Sequence, residues 1–255
     1  MMNINQLTNL QIYNLNKIQC VILDVTNAKY IYEHWNTFFN VLDKNMINYY
    51  FYSNNSSASK ETLTQRLKYK GISCPNNNFL SASDFAISYI LCNYSDKDIN
   101  IIGTSDFKSD FDGYDINICN KGGDIVLVSD DTSFDYEKIK NACEDIKKGA
   151  KLFGTNENNV SYYNGFSPAC GSLCHLISKA TGSDVEFLGL PSENAFNYIF
   201  EITGYSEDEV CFISDNSEIF KGISNSFLID SDSKNGFENL KEFAHSIDSI
   251  KNSII

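Results

Sequence analysis

Three polar clusters each follow a short apolar run, and their residue types suit phosphoryl chemistry. They are Asp24-Val25-Thr26-Asn27, Ser53-Asn54-Asn55 and Ser214-Asp215-Asn216-Ser217-Glu218. In doubly wound α/β sheets, ligands bind beyond the carboxyl ends of the strands, where these clusters would fall. A carboxylate at the first, a hydroxyl and an amide at the second and another acid at the third fit a Mg²⁺-assisted site. Asp24 would attack phosphorus and hold the metal, Ser53 and Asn54 would bond the phosphoryl oxygens, and Asp215 would complete the metal shell. A plainer reading stands beside this one, since Asp and Asn also end strands because they make good turns and helix N-caps.

The elements that must position these residues alternate along the chain. Residues 18–25, IQCVILDV, are apolar enough to be a strand of a parallel sheet buried on both faces. A helix is expected over 31–45, a strand over 48–53 and a helix over 58–70 with Gly71 at its C-terminus. The pattern continues with helix 82–93, strand 99–103, a Gly- and Asp-rich stretch, strand 124–129 and helix 135–149. Further on come strand-and-turn 151–156, helix 171–181, strand 185–190, helix 192–204 and strand 209–214. The chain closes with a helix-like 218–225, strand 226–230 and an amphipathic helix around 236–250. Strand–helix alternation of this kind predicts an α/β fold with right-handed crossovers.

With 255 residues, the chain can hold one large domain or two modest ones. Its formal net charge of −13 comes with no Lys/Arg cluster, which argues against a nucleic-acid partner. No apolar run reaches the ~20 residues of a membrane span, and residues 1–17 lack a signal-peptide pattern, so the cytoplasm is the default expectation. The eight cysteines are scattered. Only Cys170 and Cys174 are closely spaced, and with His175 as the lone neighbour they read as buried structural thiols rather than a metal or redox site. Trp35 reads as a core or interface residue, the aromatic run 39–52 as core packing, and His34 and His245 as surface residues.

Four stretches in series carry a resemblance: FYSNNSSASKETLTQRLKYKGI (51–72), FDYEKIKNACEDIKKGAKLFGTN (134–156), FSPACGSLCHLISKATG (166–182) and FLGLPSENAF (187–196). In order and spacing the chain from about 18 to 230 resembles the haloacid-dehalogenase superfamily, in its NagD-like class IIA branch. The resemblance implies a Rossmann-like core of residues 1–96 and 185–255 with a parallel sheet, and an inserted α/β cap domain of residues 97–184. It also implies a Mg²⁺-dependent phosphatase of small phosphorylated metabolites. Asp130-Asp131 falls where the family places residues over the active site, although an acidic turn cap is the commoner use of such a pair. Thr155-Asn156 is expected on the substrate-facing surface of the cap.

Residue by residue, the chain departs from the family pattern. The first motif, typically Asp-x-Asp-Gly-Thr, reads Asp24-Val25-Thr26-Asn27-Ala28. The nucleophile is kept, but the second acid, which protonates the leaving oxygen and then activates water, is Thr26. Thr26 keeps a backbone carbonyl for the metal and has no group that titrates near neutral pH. In the P-type ATPases of this superfamily a Thr also follows the nucleophile by two, and the phosphoenzyme lives longer. The third motif, Gly-Lys-Pro-Ser in the family, reads Gly189-Leu190-Pro191-Ser192, without the Lys that offsets charge between nucleophile and phosphate. In the fourth, Ser214-Asp215 is followed by Glu218. Loss of a general acid–base costs ~10²–10⁴-fold and loss of a charge-stabilising donor about 10²–10³-fold. The expected protein is therefore an impaired or inactive phosphatase. The alternatives are a ligand-binding or assembly protein that could form a homo-oligomer through its cap, or a slow phosphoryl-aspartate trap or transferase built on Asp24.

Overall fold

The computed structural model describes residues 9–26, 34–161, 165–216, 219, 223, 225–230 and 236–252. The fold is α/β, organised on two parallel sheets of five strands. The chain divides into two compact units, Met1–Tyr52 with Ile199–Ile255, and Ser53–Tyr198.

In the first unit, parallel strands lie in the order Ser226–Leu228, Val210–Ser214, Cys20–Asp24 and Asn48–Ser53. The two central strands are apolar without alternation, and every residue of CVILD and VCFIS is buried. That is the pattern of a sheet covered on both faces. Helices Trp35–Lys44 and Leu240–Asn252 pack together, with the Phe38 and Phe243 rings 6.2 Å apart. Lys44 pairs with Asp248 at 2.7 Å, and Lys251 Nζ donates to the Asn16 and Ile18 carbonyls at 2.6 and 3.0 Å. The second contact closes the C-terminal end of helix Asn9–Lys17, a polar element that hydrophobic spacing alone does not announce.

The second unit carries strands in the order Glu186–Phe187, Lys151–Gly154, Ile125–Val128, Asp98–Ile102 and Asn117–Cys119, all parallel. Helices Tyr136–Lys147 and Cys170–Thr181 bury Ala142, Ile146, Leu173 and Ile177 with Val126, Val128 and Leu152 in one cluster. Ile99, Ile101, Leu127 and Phe153 join helix Ala82–Asn93 in a second cluster. Helix Lys60–Tyr69 starts at Ser59, whose side chain caps the Thr62 N–H, while the Asp110 carboxylate accepts from Lys60 N–H at 2.9 Å. Acidic partners at this end suit the positive pole of the helix dipole.

Strand 185–190 is shorter than the sequence suggests, with only Glu186–Phe187 paired. The Gly- and Asp-rich stretch after Gly103 contains a short helix, Ser105–Ser109, capped by Thr104. Most of the expected helix 218–225 lies outside the described residues. No helix among the described residues is long and apolar enough to cross a membrane.

Candidate functional site

The sheet register brings two site residues of the first unit together. Leu23 is paired with Ile213, so Asp24 and Ser214 leave adjacent parallel strands side by side. Ser214 Oγ donates to Asp24 Oδ2 at 2.6 Å, and the Thr26 backbone N–H donates to Asp24 Oδ1 at 2.9 Å. Asp24 is only 1% exposed. Burial pushes its carboxyl up from 3.8 to about 6, against the hydrogen bonds from Ser214 and Thr26, which favour the anion; the Asp215 charge adds to the rise. The Ser214 hydroxyl in turn accepts from Asn216 N–H at 2.9 Å.

Thr26 is thus bonded to Asp24, and Asp215 is close enough for its charge to act on the same carboxyl. The part played by Ser214 was not foreseen, because only the pairing of two strands 190 residues apart places its hydroxyl on Asp24. Asn27, Ala28, Ser217 and Glu218 lie outside the described residues. As metal donors, two carboxylates and the Thr26 carbonyl are hard oxygens of the kind Mg²⁺ takes, with waters and substrate filling its other positions. Among the described residues no cluster of three His, Cys, Asp or Glu side chains offers a competing metal cage.

Ser53 and Asn54 begin the second unit, and both are buried. Ser53 Oγ accepts from Asn55 N–H at 3.3 Å, and Asn55 Oδ1 accepts from the Ser57 N–H and hydroxyl at 2.9 and 2.8 Å. The third-motif residues come to the same place. A Cβ on Gly189 would overlap the Thr155 carbonyl oxygen and lie 3.1 Å from Asn54 Oδ1, so only glycine permits this approach. Leu190 beside it is 1% exposed. Thr155 and Asn156, expected on a substrate-facing surface, are buried instead, and Asn156 Nδ2 donates to the Asn54 carbonyl at 3.2 Å.

A cavity of about 410 Å³ opens beside this segment within the second unit, lined among others by Ser57, Asp130, Thr132, Phe134, Ser161 and Leu173. Its described lining holds hydroxyls, carboxylates and apolar surface, and no Lys or Arg. Asp131, also in the lining, behaves as an acidic turn cap, accepting from Ser133 N–H at 2.9 Å and pairing with Lys138 at 2.7 Å.

The cysteine pair is structural. Cys170 and Cys174 are buried with their sulfurs 3.8 Å apart, and Cys170 donates to the Val128 carbonyl at 3.1 Å. The neighbouring Cys170 thiol and burial hold Cys174 far above the usual thiol range, and so as an unreactive thiol. His175 is exposed and bonded to Asn159 at 3.2 Å; His34 and His245 are exposed. Trp35 stacks edge-on against Phe39, which also meets Tyr49 and Phe51.

A family described as haloacid dehalogenase-like hydrolase matches residues 21–117, the stretch that holds Asp24, Thr26, Ser53 and Asn54. The chain is 25% identical over 191 residues to an acid sugar phosphatase of Staphylococcus epidermidis, covering 73% of this chain and 74% of that protein. It is also 25% identical over 179 residues to the 5′-nucleotidase YutF of Bacillus subtilis, covering 69% and 70% of the two chains. Over residues 21–117 it thus resembles the haloacid dehalogenase-like hydrolases. It shares its fold with a 4-nitrophenylphosphatase of Thermotoga maritima, at a TM-score of 0.83 and 22% identity over 92% of this chain and 99% of that one. A nagD protein superposes with a TM-score of 0.76 at 23% identity, over 83% and 88% of the two chains. At these identities the two solved structures show a shared α/β fold.

Proposed function

We propose that this protein is a Mg²⁺-dependent phosphatase of small phosphorylated metabolites whose turnover is held back by Thr26 and Leu190. The observation that carries this reading is Asp24, a buried carboxylate at the carboxyl end of a central parallel strand, its two oxygens oriented by Thr26 N–H and Ser214 Oγ. The relatives named above, phosphatases and a nucleotidase, support the same substrate class. Residues 97–184 would form the cap and the remainder the core; four of the five strands of the second sheet, all but Glu186–Phe187, fall within those limits and support that division.

Asp24 would attack phosphorus, forming an aspartyl phosphate as the ester oxygen departs with the bonding pair. Water then attacks phosphorus, releasing inorganic phosphate and restoring the carboxylate. Ser214 holds Asp24 in the attacking direction and Thr26 N–H fixes the second oxygen, so little reorientation is needed. Mg²⁺, bound by Asp24, Asp215 and the Thr26 carbonyl, would offset charge on the phosphoryl oxygens. Ser53 and Asn54 would donate to those oxygens. No carboxylic acid stands at position 26 to protonate the leaving oxygen or to activate water, so both protons must be exchanged with solvent. The second step suffers most, which favours accumulation of the phosphoenzyme.

The purified protein at high concentration should hydrolyse an aryl phosphate slowly when Mg²⁺ is present, and Asp24→Asn should remove that activity. Intact mass after incubation with an acyl phosphate should show a single phosphate adduct on the wild type alone. A wild type with neither metal-dependent turnover nor adduct would sink this reading in favour of a binding or assembly role.

A further inference from the structure

In the second unit, strands Ile125–Val128 and Lys151–Gly154 are neighbours, with Val128 opposite Gly154. The residues that follow, Ser129-Asp130 and Thr155-Asn156, leave the sheet side by side, and both reach the segment 54–56. Asn156 Nδ2 donates to the Asn54 carbonyl at 3.2 Å and to Ser56 Oγ at 3.1 Å. Asp130 Oδ2 accepts from Ser56 N–H at 3.2 Å, while the Asp130 N–H donates to Ser56 Oγ at 2.9 Å.

Each clamp is itself anchored. Asn156 Oδ1 accepts from Asn158 N–H at 3.1 Å. Asp130 Oδ1 accepts from Cys170 N–H at 2.7 Å, in the first turn of helix Cys170–Thr181, whose N-cap residue Ala169 has no polar side chain to offer. The carboxylate does the capping from another strand, favoured by the helix dipole. Asn156 is buried, and burial raises the Asp130 carboxyl despite the N–H groups of Cys170 and Ser56. Polar side chains held this far from water are rigid only while their partners are satisfied, and losing one partner costs more than a surface hydrogen bond.

We propose that Asn156 and Asp130 are positioning residues that set the direction of the Ser53 and Asn54 donors, so that the strand ends of the second unit shape the phosphoryl-binding segment. This rests on reading Ser53 and Asn54 as phosphoryl donors. Gly189, pressed against Asn54 Oδ1 and Thr155, closes the other side of the same arrangement.

The test uses two isosteric variants and a matched control. Asn156→Asp keeps the acceptor for Asn158 N–H but turns the donor into an anionic oxygen facing the Asn54 carbonyl. Asp130→Asn keeps one acceptor and sets an amide against either Ser56 N–H or Cys170 N–H; it carries the test alone if Asn156→Asp does not fold. The control is Asp145→Asn, another buried carboxylate of this unit, which accepts from Asn100 Nδ2 and from Gly122 and Gly123 N–H.

Hydrogen exchange should speed up on the order of tenfold across 53–57 in the first two variants, and across 121–123 alone in the control. Affinity for orthovanadate with Mg²⁺ should fall on the order of tenfold in the first two and stay near wild type in the control. Unchanged exchange at 53–57, or equal vanadate loss in the control, overturns the proposal. A wild type that binds no vanadate instead overturns the phosphoryl reading of Ser53 and Asn54 and ends the functional role proposed here, while the exchange data still decide whether Asn156 and Asp130 hold the segment.

Discussion

Thr26→Asp is expected to raise Mg²⁺-dependent hydrolysis of alkyl phosphates by about 10²–10⁴-fold, the usual worth of a placed general acid–base. The backbone at position 26 is already arranged for it, because its N–H donates to Asp24 Oδ1 whatever the side chain is. Thr26 is half-buried, so a carboxyl there enters a partly desolvated place beside another carboxyl. Both effects favour the protonated form. That form can donate to a leaving alkoxide and then, as the anion, draw a proton from water.

The gain should depend on the leaving group. Nitrophenolate departs as a stable anion and needs little help, so acceleration of the first step should be small for nitrophenyl phosphate and large for glycerol phosphate. Dephosphorylation should accelerate for both, and a burst of nitrophenolate in the wild type should vanish in the variant. Stopped-flow traces on the two substrates check this. If Thr26→Asp leaves turnover unchanged while the protein stays folded, the absent acid is not what limits the reaction, and the buried Leu190 becomes the residue to change.

What could be read from the sequence divides along physical lines. Strands Cys20–Asp24 and Val210–Ser214 were legible because burial on both faces writes a continuous apolar run. Helix Ala82–Asn93 was legible in the sequence, and the structure adds a capping box at Ser81. The three-residue strands Phe79–Ser81 and Asn117–Cys119 are too short to show a period, and their place comes from their neighbours. Strand 185–190 was read too long because Leu188 and Leu190 are apolar for core reasons, while Gly189 between them turns against Thr155.

The site divides in the same way. Asp24 ends a strand and Thr26 and Asp215 lie just beyond strands, and strand ends can be found locally. Ser214 on Asp24, Asp130 on Ser56 and Asn156 on Asn54 are contacts across 190, 74 and 102 residues. A serine or asparagine in a turn carries no local sign of which distant backbone it will hold, so these roles appear only once the strands are in register.

Asp24→Asn is expected to stabilise the metal-free protein at neutral pH while abolishing turnover. The folded-state pKa of Asp24 is about 6 against an ordinary 3.8, raised chiefly by burial. For an acid whose pKa rises on folding, the native state binds the extra proton, so stability is lost as pH climbs between the two values. Below 3.8 the carboxyl is neutral in both states and costs nothing extra. Above about 6 the full penalty is present, about 3 kcal/mol from the shift of roughly two units at ~1.4 kcal/mol each.

An amide at position 24 carries no charge to desolvate. It can still accept from Thr26 N–H, and its Nδ2 can donate to Ser214 Oγ once that hydroxyl rotates. Metal-free samples should therefore show equal Tm for wild type and variant near pH 3. The gap should open through pH 4–6 and level off above pH 7 at on the order of 5–10 °C in favour of the variant. A gap that is flat with pH would mean that Asp24 is not the buried anion the geometry describes. Saturating Mg²⁺ should narrow the gap from the wild-type side, since an ion held by Asp24 and Asp215 supplies the positive charge that burial denies the carboxylate.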